Sequence, residues 1–223
     1  MTNNKRLLVW GLSFFPLIFV LVMLPSIPQT IPAHFGFSGE VTRYGHRLEL
    51  LLTPGITIAM QLFWLLTEKA VMLQKESGTQ NLKILFWCNI MITLVFATLT
   101  VWFVYLAIAG VEVLIESSFD FLRALSVGLS ILWIVIGNLL PKCKQNRLVG
   151  IRTKWTLDSQ SNWYKTHRFG GRLFLIYGFV SAAVCLFVLT GWAAFVFTNA
   201  GMLAVVIVVC CYSYHVARQS GKM

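Results

Sequence analysis

Arg152, Lys154 and Arg168 lie close in sequence to Trp155 and Trp163. Guanidinium and indole groups are favoured interface anchors, so this mixture suits binding of a cytoplasmic partner or of lipid phosphates. The same stretch carries Asn138, Lys142, Asn146, Thr153, Thr156, Thr166 and His167. His167 has acid–base capacity near neutral pH, but no acid partner for it is evident. A second cluster, Pro32, His34, Phe35, Gly39 and Tyr44, sits in a proline- and glycine-rich segment. His34 and His46 alone are too few ligands for a metal site. The chain has no G-x-S-x-G, no H-E-x-x-H, no phosphate-binding P-loop and no Rossmann glycine run. The chemistry legible here is recognition: no enzyme, no cofactor and no metal is expected.

The elements that position these residues are membrane spans. Of 223 residues, 57% are hydrophobic and 12% charged, with a mean hydropathy of +0.75. Soluble domains carry about 25% charged residues. Uncharged runs occur at 7–24, 50–66, 84–109, 124–140, 173–190 and 193–214. Each is near the ~20 residues needed to cross the hydrocarbon layer, where the backbone must pair with itself as helix. The fold class is therefore all-α, a polytopic bundle of about six spans. Pro54 belongs in the first turn of the second helix or kinks it. Gly191 and Trp192 mark a tight hairpin between the last two runs. The first run lacks a small-residue cleavage pattern and is expected to stay as a span. Gln61 and Asn89, uncharged and inside spans, are expected to join helices.

Charge predicts orientation. Positive residues collect on the cytoplasmic side of short loops. With both termini inside, every Lys and Arg except Arg43, Arg47 and Arg123 falls inside. The third loop, 110–120, holds Glu112, Glu116 and Asp120 and no base. The net charge of +10 is thus foremost a topology signal, and direct nucleic-acid binding is not expected. The chain divides into a two-span module, 1–75, with an extracytoplasmic loop, and a four-span region, 76–223, with a cytoplasmic loop, 141–172.

In the outer loop, Pro25, Pro28 and Pro32 predict an extended, polyproline-like path, with tight turns at Gly36, Gly39 and Gly45. It is either a ligand-binding surface or a cap tying the first two spans. In the inner loop, Pro141 ends span four, and residues 150–157 read as extended. Asp158 or Ser159 caps a following helix. Trp163, Thr166, His167 and Gly170 share one face of that helix, Arg168 and Arg172 another.

Gly137-Asn138, Pro141-Lys142, Asn146, Gly150-Ile151-Arg152-Thr153, Trp155-Thr156-Leu157, Trp163 and Thr166-His167-Arg168 together resemble the signature of the SdpI family. Those are bacterial integral membrane proteins giving immunity to a secreted toxic peptide. Leu24-Pro25, Ile31-Pro32, His34-Phe35 and Gly39 resemble a membrane module often found ahead of it. The resemblance implies a multi-pass protein of a bacterial cell membrane whose outer loop meets a peptide toxin. It also implies an inner loop that holds a cytoplasmic helix-turn-helix repressor, or lipid, through Arg152, Trp155, Trp163, His167 and Arg168. Thr42, Gly36 and Arg47 depart from the pattern outside, where an acid, Asn or Asp, and Lys are usual. The alternative reading is a small-solute transporter or lipid-handling protein, against which the lack of a mid-span charge argues.

Overall fold

The structure, a computed structural model, describes residues 3–36, 39–73, 78–111 and 120–219. Glu112, Glu116, Lys75 and Lys222, which enter the charge pattern, lie outside the described residues. The elements in order are α1 (Asn3–Met23), β1 (Thr30–Phe35), β2 (Val41–His46), α2 (Leu52–Met72), α3 (Gly78–Ala109), α4 (Phe121–Leu139), α5 (Lys154–Asp158), α6 (Gln160–Phe187) and α7 (Gly191–Gln219). Six of these helices, all but α5, are long and apolar enough to cross a membrane. They correspond one to one with the uncharged runs. Large apolar side chains such as Leu7, Leu66, Ile176 and Phe187 are exposed, as helices solvated by lipid require.

The helical ends depart from the expected ones where polar residues extend a helix beyond its apolar run. α6 starts at Gln160, well before the uncharged stretch at Leu173. α2 is preceded by a 3-10 turn, Arg47–Leu51, and Pro54 lies in its first turn. The α6–α7 connection is Val188 to Thr190, and Gly191 opens α7 with φ +52°, a left-handed value suited to glycine.

Two expectations need correction. Residues 150–157 are not wholly extended, because Lys154–Asp158 forms the one-turn helix α5. The polyproline-like path is instead a 3-10 turn, Leu24–Ser26, followed by an antiparallel hairpin, so the bundle carries a two-stranded sheet, and Gly45, expected at a turn, lies within β2 opposite Ile31. Thr30 pairs with His46, Pro32 with Tyr44 and Phe35 with Val41, with irregularities around His34. Proline fits a two-stranded ribbon because both strands are edges, where a missing N–H need not break a ladder.

The chain packs as two compact units, Met1–Leu65 with Asn89–Phe121, and Leu66–Cys88 with Leu122–Met223. In the first unit, Ile27, Ile31 and Leu50 are buried with Val20, Val104 and Ala107, which anchors the hairpin on its helices. Deeper in that unit the Gln61 and Asn89 amides exchange hydrogen bonds at 2.9 Å each way, and Gln61 also donates to Thr93 Oγ1 at 3.0 Å. Both residues are thus helix contacts, as their isolation among apolar neighbours predicts.

In the second unit, glycines set the spacing of α4, α6 and α7. A Cβ on Gly171 would lie 2.7 Å from the Gly137 carbonyl oxygen, and one on Gly178 would lie 3.0 Å from that of Ser130. Helices meet backbone to backbone there, as small residues permit in membranes. Ser130 donates to Ser181 Oγ at 2.9 Å, and Ser181 is 2.9 Å from Thr198 Oγ1, so a hydroxyl chain links all three helices. Arg123 at the start of α4 donates through Nε to the Cys185 carbonyl at 2.7 Å and through Nη2 to that of Leu186. It satisfies carbonyls that the end of α6 leaves open.

Candidate functional site

The connection from α4 to α6 is built around one buried amide. Pro141 ends α4 in a 3-10 turn, Leu140–Lys142. Asn146 then accepts from the Leu148 and Val149 N–H groups, both at 2.7 Å. Its Nδ2 donates to the Lys144 and Val149 carbonyls at 2.8 and 3.0 Å. Asn81, on the part of α3 in this unit, donates to the Lys144 carbonyl at 3.1 Å and accepts from the Lys144 N–H at 3.0 Å. An asparagine that pairs with both groups of one residue mimics a strand neighbour, so this loop backbone is satisfied without a sheet. Burial pushes the Cys143 thiol up to about 12, which leaves it an unreactive filler.

A second set of bonds docks the loop on α6. Trp163, fully buried, donates its indole N–H to the Cys143 carbonyl at 2.8 Å. His167, also fully buried, stacks on Trp163 with ring centroids 4.0 Å apart. Its Nε2 accepts from the Ile151 N–H at 3.0 Å, and Nδ1 lies 2.8 Å from the Trp163 carbonyl. Those two partners fix one tautomer: Nδ1 carries the proton and donates it, and Nε2 is bare. Gly150, with φ +107°, lays its backbone across these two rings, where a Cβ would meet His167 Nε2 and Trp163 Cζ2.

α5 is held by a capping box. Thr153 Oγ1 accepts from the Thr156 N–H at 3.2 Å, while Thr156 Oγ1 accepts from the Thr153 N–H at 3.0 Å. Gln145 supports its far side, donating to the Thr156 and Leu157 carbonyls at 2.9 and 2.8 Å. Thr153 Oγ1 lies 3.0 Å from Ser213 Oγ, and Asn162 donates to the Ser213 carbonyl at 2.9 Å, so α7 is tied to the same place. Thr166 donates to Asn162 Oδ1 at 2.9 Å. Ser159, one of the two expected caps, accepts from the Asn162 N–H.

The sequence-derived residues therefore divide by exposure. Asn146, Thr156, Trp163, Thr166 and His167 are buried and hold the loop together. Arg152, Arg168, Lys142 and Asn138 are exposed, and Lys142 donates to Asn138 Oδ1 at 3.2 Å. Trp155, half-buried, packs edge-on against Tyr214 at 5.1 Å. Thr153 is half-buried in the capping box. Asn81, Gln145, Asn162 and Ser213 complete the arrangement and went unread in the sequence. For Asn81, Asn162 and Ser213 the only signal is an uncharged polar side chain at a position that helical spacing turns toward the core, and Gln145, in the irregular loop, carries none.

On the hairpin, His34 Nδ1 is 2.6 Å from Thr42 Oγ1, and both residues are exposed. Arg43 forks onto Glu49 at 3.1 and 2.7 Å, and this pairing holds the guanidinium in its charged form. Tyr44 is exposed opposite Pro32, Phe35 is half-buried, and Gly39 turns the chain with φ +83°. Arg47 reaches back to the Leu24 and Ile27 carbonyls, both at 3.2 Å. No group of three or more potential metal ligands occurs among the described residues.

Residues 142–213 match the SdpI/YfhL protein family, and residues 11–58 match a domain of unknown function (DUF1648). Over 188 residues, 83% of this chain and 82% of the relative, the sequence is 26% identical to the protein named Immunity protein SdpI of Bacillus subtilis. Over 52 residues, 23% of this chain and 28% of the relative, it is 36% identical to an uncharacterized protein of Archaeoglobus fulgidus. No solved structure shows significant similarity. The loop docked by Trp163 and His167 thus lies inside a segment shared with the SdpI/YfhL family, on a multi-pass membrane protein.

Proposed function

With an SdpI/YfhL-family segment as the premise, we propose that this is a membrane immunity protein that protects its cell against a secreted antimicrobial peptide by binding, without catalysis. The observation that carries the reading is the similarity to Immunity protein SdpI along most of both chains. The architecture supports it. The hairpin is anchored by Ile31 and presents His34, Thr42, Arg43 and Tyr44, and so offers a preordered contact surface. Preorder lowers the entropic cost of binding. The matched segments, 11–58 and 142–213, fall on either side of residue 75 and support a two-module reading. The charge distribution supports an orientation with both ends and the 141–172 loop in the cytoplasm.

The finer reading is a receptor. Peptide contact outside favours one arrangement of the bundle, and the inner loop then holds a cytoplasmic helix-turn-helix repressor. Arg152 and Trp155 are the proposed contacts, since they are accessible while Trp163 and His167 support them from within.

Toxin challenge of cells with and without the protein tests the immunity reading. Protection is expected with the wild type and lost in Arg152→Ala and Trp155→Ala variants present at normal levels. Equal killing with and without the wild-type protein would reject it. Co-sedimentation of the repressor with membranes only when toxin is present tests the receptor step.

A further inference from the structure

We propose that α3 couples the hairpin to the 141–172 loop, with Asn81 as the positioning residue through which the two communicate. The inference rests on the receptor reading above and specifies how that loop is regulated. One end of α3 is part of the hairpin's anchorage: Val104 and Ala107 are buried with Ile27, Ile31 and Leu50. The other end grips the loop. Asn81, fully buried, bonds both the N–H and the carbonyl of Lys144, at 3.0 and 3.1 Å, and accepts from the Cys143 thiol at 3.5 Å. Ile84, one turn along, is buried with Cys143 and Trp163, and Cys88, a further turn on, packs against the same cluster. Each contact lies within one compact unit, and α3 runs unbroken through both, 78–88 in one and 89–109 in the other.

The helix suits this task because it is stiff. Sharp bends in helices arise at proline, at glycine or where the hydrogen-bond ladder is interrupted. Between Thr79 and Ala109 α3 holds no proline and no glycine, whereas each of the other five spans holds at least one of them. Asn81 and Val104 are separated by a rise of ~35 Å along the axis. A hydrogen bond tolerates only a few tenths of an ångström of stretch. An axial shift of about 1 Å, small for a helix that moves, therefore either drags Lys144 along or breaks both of its bonds to Asn81. Asn81 has a short side chain and is fully buried, which leaves little slack to absorb the motion. The Lys144 carbonyl is also held by Asn146, so the pull passes into the amide bonds that shape the loop.

The test uses purified full-length protein in detergent micelles, with hydrogen exchange read at single amides by mass spectrometry. Neither toxin nor repressor enters it, so the coupling and the immunity reading stand or fall separately. Ile31→Ala loosens the hairpin at its base and is expected to speed exchange of the Lys144 N–H about fivefold. The Ile151 N–H, held by His167, should keep its rate. Coupling is reciprocal. Asn81→Leu should therefore speed exchange of the Arg47 N–H, which bonds to the Gln29 carbonyl at 3.0 Å at the foot of the hairpin. Leu94→Gly with Thr98→Gly, at exposed positions between the two contacts, softens α3 and should weaken both responses. Ile31→Val replaces Ile31→Ala if that variant does not fold. An unchanged Lys144 rate beside faster hairpin exchange would overturn the proposal. So would an equal rise at Lys144 and Ile151, which would mean a general loss of stability, or full responses through the softened helix, which would mean another route.

Discussion

His167 Nε2 accepts the Ile151 N–H at 3.0 Å from inside a fully buried ring. This bond makes the histidine a structural acceptor. Adding a proton at Nε2 would remove the acceptor and bury a charge. His167→Ala leaves the Ile151 N–H and the Trp163 carbonyl without this partner and opens a cavity beside Trp163. A loss of about 2–4 kcal/mol is expected. His167→Gln, which keeps an acceptor, should recover part of it. Melting temperatures of the purified variants would check this order.

Gly150→Ala should destabilise the same loop from the opposite side. The position has φ +107°, and its Cβ would meet His167 and Trp163. A cost of about 2 kcal/mol is expected. Limited proteolysis between 143 and 158 should be faster in the variant, with spans unaffected.

Gln61 and Asn89 exchange their amides inside the first unit. Gln61→Leu or Asn89→Leu alone breaks the amide exchange and leaves the remaining amide with only Thr93 among these partners, whereas the double variant removes both amides. A double-mutant cycle by denaturant titration in mixed micelles should show coupling of roughly 0.5–2 kcal/mol. Strict additivity would mean that the pair contributes nothing.

Cys143 should be silent to alkylating reagents in the folded protein. With its thiol pushed up to about 12 by burial, the reactive thiolate is scarce at pH 8. Raising the pH increases the thiolate fraction tenfold per unit, so labelling should become appreciable only in strongly alkaline solution or on unfolding. Rapid modification of Cys143 at pH 8 would mean that the loop opens.

Orientation is checked by single cysteines in an otherwise cysteine-free chain. Replacements at Lys144 and Lys165 should be shielded from a membrane-impermeant reagent added outside the cell. One at Arg43 should react. The reverse pattern would invert the bundle and overturn the proposed toxin-facing role of the hairpin.

The spans were legible because uncharged runs of 17 to 26 residues leave the chain few alternatives, and the Gln61–Asn89 pair because amides stand out among apolar neighbours. The hairpin was hidden. Thr30-Ile-Pro-Ala-His-Phe has only a faint alternation, and its strand character comes from Ile31 packing into the core and from the turn at Gly39. α5 was hidden for another reason. Five residues are too few to show a helical period, and its cap uses Thr156 where a glutamate is the familiar signal. The spacing of Trp163, Thr166 and His167 correctly gave one helical face. That the face is buried depends on the loop folding over it, which begins with the amide of Asn146.

Gly137 and Gly171 bring the backbones of α4 and α6 into direct contact. No side chain lies between them to swing aside, so the two helices have no soft layer in which to slide. Any rearrangement within this unit must therefore carry α4 and α6 together as one lever.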